Sequence, residues 1–221
     1  MITANAILQD SENSHQAILA TQDGYKFEAI YNIAGDASIF AYEVLASQHQ
    51  SDWLSHDLRT VENISSLHRN IEGKIWINLS TESIVSIDDA LIEQAALDSP
   101  QFVIEWVEDR CKSEILYAAA EKLKFWRDQF SIKVALDDMG KGQDALERFL
   151  AIKPDYAKID GSLIHKARHS NSHLRAIQWL CQWCNNEGVP TVWEWIENKQ
   201  DLATALSCNA KFGQGFFFNT R

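Results

Sequence analysis

Acidic and amide side chains recur at the downstream ends of the apolar, strand-like segments of this 221-residue sequence. In VALDDMGKG (134–142), for example, an apolar run leads into the adjacent carboxylates Asp137 and Asp138. Along the chain, the residues at these ends are Glu43, Asn78, Glu105, Asp137 with Asp138, Lys158, Glu194 and Gln214. Carboxylates that gather in one place repel each other, so such a cluster requires compensating cations.

The candidate ligands form an oxygen-rich set of five carboxylates and one amide: Glu43, Asn78, Glu105, Asp137, Asp138 and Glu194. Oxygen donors suit hard cations such as Mg²⁺ or Mn²⁺ better than zinc, which favours His and Cys. Two divalent ions would neutralise four of the five charges, and paired ions serve displacement reactions at phosphorus. We therefore predict two Mg²⁺ or Mn²⁺ ions, with Lys158 orienting or activating the attacking water.

Eight β-like segments are the elements that must position these side chains: 25–33, 39–45, 74–79, 102–107, 132–137, 155–159, 190–194 and 212–218. Helical apolar stripes lie between most of them, which predicts a mainly parallel sheet. Only AGDAS separates the first two segments, too short for a crossover helix, so these strands should be antiparallel.

The fold predicted from this pattern is α/β, a (β/α)8 TIM-like barrel with an antiparallel first strand. It occupies residues 24–221, after a polar N-terminal segment of residues 1–23. The rival, an open doubly wound sheet, usually carries a glycine-rich phosphate loop after its first strand, and none is present. In a barrel the downstream strand ends meet around one mouth, which would bring the polar residues together.

Composition narrows the classes of partner. The net charge of −11 counts against an extended nucleic-acid interface. No run of 18 or more apolar residues is present, which predicts that no segment spans a membrane. The first residues lack the pattern of a secretory signal, so we expect a cytoplasmic location.

The ordered motifs resemble the EAL-domain family of cyclic di-GMP phosphodiesterases from about residue 25 to the end. The corresponding motifs are Glu43-Val44-Leu45, Asn78-Leu79-Ser80, Glu105 with Glu108, the run from Asp137 to Gly142, Asp155 to Asp160, Glu194 to Glu197, and Gln214-Gly215. Each motif alone is weak evidence, whereas the complete set in this order is strong.

The resemblance implies hydrolysis of cyclic di-GMP to linear pGpG with two Mg²⁺ or Mn²⁺ ions, in a homodimer. It assigns one ion to Glu43, Asn78, Glu105 and Asp137, and the other to Asp137, Asp138 and Glu194. It assigns catalytic or supporting roles to Lys158, Glu194, Glu197 and Glu108, and substrate contacts to Gln214, Leu45 and Asp160.

Several positions depart from the family pattern, among them Met139 and Lys141, where Phe and Thr are usual. Ser47 stands where an arginine that contacts substrate is usual, and Glu28-Ala29 stands where Gln-Pro is usual. They leave open an alternative: a catalytically weak or inactive EAL-like module that binds cyclic di-GMP or a protein partner. A two-metal phosphodiesterase for another nucleotide is a further alternative. The complete set of metal-ligand candidates favours the enzyme.

Overall fold

A computed structural model describes residues 18–22 (backbone only), 24–69, 71, 73–109, 111–141 and 144–218 of the chain. Within these residues nine strands form one sheet: β1 Ile18–Gln22, β2 Tyr25–Tyr31, β3 Ile39–Ala46, β4 Lys74–Leu79, β5 Val103–Trp106, β6 Lys133–Met139, β7 Tyr156–Ile159, β8 Thr191–Trp193 and β9 Phe212–Gly213. Helices alternate with the strands from β3 onward: α1 Trp53–Glu62, α2 Ile64–His68, α3 Thr81–Ser86, α4 Asp89–Asp98, α5 Ser113–Phe130, α6 Ala145–Ile152, α7 Gly161–Ala167, α8 Asn171–Asn186 and α9 Lys199–Ser207.

Strands β2 to β9 close into an eight-stranded barrel. Each strand pairs with the next in sequence, and β2 also pairs with β9 through Tyr31 and Gly213. The β2–β3 pair is antiparallel, and the pairs from β3–β4 to β8–β9 are parallel. The predicted barrel with an antiparallel first strand is therefore confirmed.

Strand β1 was not anticipated. It pairs antiparallel with β2 over the residues from Tyr25 to Glu28. Because β3 occupies the other edge of β2, β1 and the short β9 share the remaining edge, and β1 covers what would be an open row of backbone groups. The predicted segment of residues 1–23 thus contains a strand. Residues 1–17 and 23 lie outside the described part of the chain, so its boundary stays a prediction.

The eighth predicted segment, 212–218, was too long. Only Phe212–Gly213 is a strand, and a 3₁₀ turn follows at Phe216–Phe218. Gly215 has a φ of 142° and lies against the backbone of Ile196, which takes the chain out of the sheet after Gln214.

The barrel interior has an apolar floor below the polar residues. One buried cluster inside the barrel consists of Ile30, Ala41, Trp76, Val103, Ala135 and Val192, with Phe40, Tyr156 and Phe212 packed against it. On the parallel strands each polar residue except Asp138 follows a floor residue by two positions, as Glu43 follows Ala41 and Lys158 follows Tyr156. Since side chains alternate with a period of two, the polar residues form the next layer of the same interior.

A second, larger cluster fills the space between the outer face of the barrel and the helices. Among the described residues, no helix has the length and apolar character that crossing a membrane requires.

Arg148 ties two strand ends to helix α6. Its side chain is fully buried and donates to the carbonyl oxygens of Trp106 at 2.8 Å and Asp137 at 3.2 Å. Asp144 lies 3.5 Å from its Nε. The guanidinium therefore fixes the backbone of the residue that leads the Asp137-Asp138 pair.

We expect Arg148→Met to lower the free energy of unfolding by about 2–4 kcal/mol, because two buried carbonyls lose their donor. Urea unfolding measures the difference. Arg175→Met, at an exposed position on α8, is the matched control and should change stability by less than about 0.5 kcal/mol. Equal losses in the two variants would contradict a tying role for Arg148.

Candidate metal centre

The barrel brings the predicted polar residues together at its mouth. We call this group the ring; its members are Glu43, Asn78, Glu105, Asp137, Asp138, Lys158, Glu194 and Gln214. Glu43, Glu105, Lys158, Glu194 and Gln214 are all buried, although four of them are charged groups. They come from β3, β5, β7 and the residues directly after β8 and β9. Buried charges need close partners, so their contacts indicate what the site can hold.

Lys158 lies at the centre of the ring. Its Nζ is 3.0 Å from Oε2 of Glu43, 2.6 Å from Oε1 of Glu105 and 2.9 Å from Oε1 of Glu194. Asp137 is slightly farther, with Oδ1 at 3.7 Å. One ammonium therefore serves four carboxylates contributed by four strands.

Two amides orient Glu43. Asn78 donates from Nδ2 to Oε1 at 3.1 Å, and Gln214 donates from Nε2 to Oε2 at 2.9 Å. Burial alone would raise the pKa of Glu43, but the charge of Lys158 and these hydrogen bonds hold it below its ordinary value. Glu43 is thus held as a carboxylate.

The other acids are less well compensated. Burial and the charge of Glu43 raise the pKa of Glu105 well above its ordinary value. Burial raises the pKa of Glu194 to about 8 despite Lys158, with Asp137 adding to the effect. Burial and the charge of Asp137 raise the pKa of Asp138 to about 6. The four acids raise the pKa of Lys158 well above its ordinary value, against the opposing effect of burial, so the lysine stays charged.

The donor set fits a hard divalent cation. Asp137, Asp138 and Glu194 each offer a carboxylate oxygen, and these oxygens lie within 4.8 Å of one another. Oε2 of Glu105 and Oε1 of Gln214 are buried without a hydrogen-bond partner among the described residues. Carboxylate and amide oxygens in a ring with too little positive charge are the environment that Mg²⁺ or Mn²⁺ prefers.

The end of β6 and the loop after it have an unusual backbone. Asp138 adopts a left-handed conformation with φ of 56°, and Gly140 follows with φ of 91°. Lys141 lies 3.1 Å from Oδ2 of Asp138 and 3.4 Å from Oδ2 of Asp160. A non-glycine residue in this conformation is costly, and Asp is among the types that tolerate it best. Gly142, the last residue of the predicted motif, lies outside the described residues.

The remaining predicted site residues are placed around the ring rather than in it. Asp160 is buried and caps α7 by accepting from Ser162. Leu45 and Glu108 line a groove beside the ring. Glu197 accepts from Arg168 at 2.9 Å outside the ring and is partly exposed. The catalytic and substrate-contact roles given to these residues stay predictions.

The groove has a volume of about 1080 Å³ and runs outward from Glu43, Asn78 and Asp137. Its outer wall includes two residues that the sequence pattern did not indicate as site residues, Lys26 on β2 and Trp53 on α1. Lys26 could have been found from strand alternation, because it lies two positions before Glu28. Trp53 carried no local signal, since its position depends on how α1 packs against the barrel.

The sequence model of the EAL domain matches residues 53–220. The chain belongs to the EAL domain family. A curated relative, cyclic di-GMP phosphodiesterase PdeA of Borreliella burgdorferi, is 28% identical over 106 residues, which are 48% of this chain and 15% of that protein. The chain thus spans about a seventh of the length of this relative.

Solved EAL structures share the fold of this EAL domain. Klebsiella pneumoniae BlrP1, in a calcium complex with cyclic di-GMP, has a TM-score of 0.74 at 19% identity, over 95% of this chain and 59% of that chain. A standalone versatile EAL protein from Vibrio cholerae O395, with cyclic di-GMP bound, has a TM-score of 0.77 at 17% identity, over 90% and 93% of the two chains. At these identities the likeness establishes the barrel.

In metal-free buffer with EDTA, we expect this EAL domain to lose stability as the pH rises from about 5 to 8.5. Glu194, with a pKa of about 8, and Asp138, with a pKa of about 6, hold protons in the folded state that the unfolded chain has already released. The folded state therefore binds more protons across this window, and its stability falls as they leave, by on the order of 2 kcal/mol or more. Urea unfolding at several pH values measures the slope.

Glu194→Gln is the matched variant and should flatten this slope. Mn²⁺ should oppose the loss in the wild type, because it binds the ionised carboxylates. An equal slope in Glu194→Gln and wild type would contradict the assignment to Glu194.

Proposed function

We propose that this EAL domain hydrolyses one phosphodiester bond of cyclic di-GMP to give linear pGpG, with two Mg²⁺ or Mn²⁺ ions. The observation that carries the proposal is the ring, in which four carboxylates converge around the buried Lys158 and Asp138 lies beside them, next to an open groove. The names of its relatives support it. PdeA is called a cyclic di-GMP phosphodiesterase, and BlrP1 was solved with calcium and cyclic di-GMP.

The residues that would hold the ions are those of the ring. We assign Glu43, Asn78, Glu105 and Asp137 to one ion, and Asp137, Asp138 and Glu194 to the other. Bound there, divalent ions supply Lewis-acid stabilisation of charge on phosphoryl oxygens and lower the pKa of bound water.

The side chains of the ring divide the remaining work. Lys158 stays protonated because four acids raise its pKa, so it acts as a hydrogen-bond donor that orients the attacking water rather than as its base. Asn78 and Gln214 fix the orientation of Glu43. Water adds its oxygen to phosphorus as a hydroxyl group, the bond from phosphorus to the ribose 3′ oxygen breaks, and the proton that the water gives up ends on that 3′ oxygen.

The alternative is a module that binds cyclic di-GMP or a protein partner without turnover. It is favoured by Ser47 and Glu28, which stand in the positions of usual substrate contacts. Glu28 lies directly across from Glu43 on the neighbouring strand. Burial and the charge of Glu43 raise the pKa of Glu28, which reduces the negative charge that it presents to an anionic substrate. We therefore retain the enzyme as the proposal. The homodimer and the cytoplasmic location stay predictions.

We expect purified protein with Mn²⁺ to convert cyclic di-GMP to pGpG, and Asp137→Asn to lower kcat by at least about 100-fold, because that carboxylate is assigned to both ions. Chromatography of nucleotide products measures the conversion. Asp128→Asn, at an exposed position on α5, is the matched control and should retain activity.

Measuring binding beside turnover distinguishes the enzyme from the binding module. Wild type that binds cyclic di-GMP and Mn²⁺ but forms no pGpG would overturn the enzyme in favour of the binding module. Equal turnover by Asp137→Asn and wild type would show that the ring does not perform the reaction.

A further inference from the structure

The groove outside the ring is acidic, although the substrate class proposed for it is anionic. Its lining includes Asp52, Asp57, Glu82 and Glu108 in addition to the ring residues. Lys26 is the one lysine or arginine among the described residues that line it. Ser47 lines the same groove and carries no charge. A phosphate that binds outside the ring therefore has a single permanent cation available to it.

Lys26 is placed to serve such a phosphate. On β2 it lies directly across from Leu45, as Glu28 lies across from Glu43. Residues two apart on a strand share a face, so Lys26 and Leu45 form the layer above Glu28 and Glu43, one step farther out of the barrel. The side chain of Lys26 is exposed. An ammonium at this level lies outside the carboxylate ring rather than at its centre.

Trp53 adds an aromatic surface to the same wall. It is the first residue of α1, whose start is fixed by Asp52 accepting from the backbone N–H of Ser55. The indole lies edge-to-face with His49, at a centroid distance of 6.1 Å, and with His56, at 5.5 Å. Its side chain nevertheless remains 48% exposed. An anchored aromatic ring with a free surface beside a phosphate-binding site is a platform on which a nucleobase can stack.

We propose that Lys26 and Trp53 form the substrate grip of this domain, Lys26 pairing with the dinucleotide phosphate that is not cleaved and Trp53 stacking on a base. This inference rests on the proposed function, because it assigns the groove to the same nucleotide. In this proposal the ring performs the chemistry, and the wall of the groove formed by Lys26 on β2 and Trp53 on α1 sets the affinity for substrate.

The test compares charge and ring variants in the full chain. In Mn²⁺, Lys26→Gln is expected to raise the KM for cyclic di-GMP by about 5- to 20-fold with kcat changed less than threefold, while Lys26→Arg keeps KM near the wild-type value. Trp53→Ala is expected to raise KM by about 10-fold, and Trp53→Phe by much less, because phenylalanine still offers a ring. Binding measured by calorimetry in Ca²⁺ should weaken by the same factors.

Two controls match these variants outside the groove. Lys124→Gln removes a lysine that pairs with Glu121 on α5, and Trp179→Ala removes a tryptophan that is 64% exposed on α8. Both should leave KM and kcat unchanged. Raising the salt concentration should narrow the gap between Lys26→Gln and wild type, since an exposed ion pair is screened.

The outcomes are distinguishable from failure of the proposed function. Wild type that neither hydrolyses nor binds cyclic di-GMP would overturn the function and this inference together. Wild type that turns over substrate, with KM unchanged in Lys26→Gln and Trp53→Ala, would overturn the grip alone. A fall in kcat without a rise in KM in either variant would also overturn it, because that pattern places the residue in the reaction rather than in binding.

Discussion

The charge of one buried lysine is the interaction on which the rest of the site depends. Lys158 is surrounded by four carboxylates from four strands, and each of those acids is placed by its own strand register. Removing a charge from water costs several kcal/mol, which only close opposite charges and hydrogen bonds offset. One ammonium cannot compensate four acids, and the raised pKa values of Glu105 and Glu194 are consistent with this deficit of positive charge. A site left in this state favours additional cations.

The barrel meets this demand through layering. The floor of Ala41, Trp76, Val103 and their neighbours fills the lower interior beneath the ring with apolar side chains. Because strand side chains alternate, the residues two positions above the floor must point into the same interior. Arg148 then fixes the carbonyl of Asp137 from outside, at the point where the strand gives way to a left-handed turn. Asp137 is thus held by Arg148 at its backbone carbonyl and lies near the charge of Lys158 at its carboxylate.

Period-two patterning made the ring predictable from sequence. Polar residues embedded in apolar runs, such as Glu105 in FVIEWV, indicate a polar layer inside a barrel, and the short AGDAS connection indicates an antiparallel pair. Strand β1 was not predicted, because it covers an edge of β2 that is left open only by the shortness of β9. The central position of Lys158 and the position of Trp53 were not predicted for a related reason. Both follow from how elements distant in sequence pack, which no local pattern encodes.

An acidic ring creates a conflict between the metal ions and the substrate. In the proposed reaction, the negative charge that attracts divalent ions also repels a phosphodiester until the ions are bound. Groups that lie outside the ring yet within reach of the same ligand would then add to the affinity for the nucleotide. The antiparallel β2 begins at the mouth and α1 starts beside it, so these two elements present Lys26 and Trp53 to the groove. Under the proposed function, the reaction constrains the ring residues, whereas Lys26 and Trp53 contribute to affinity alone.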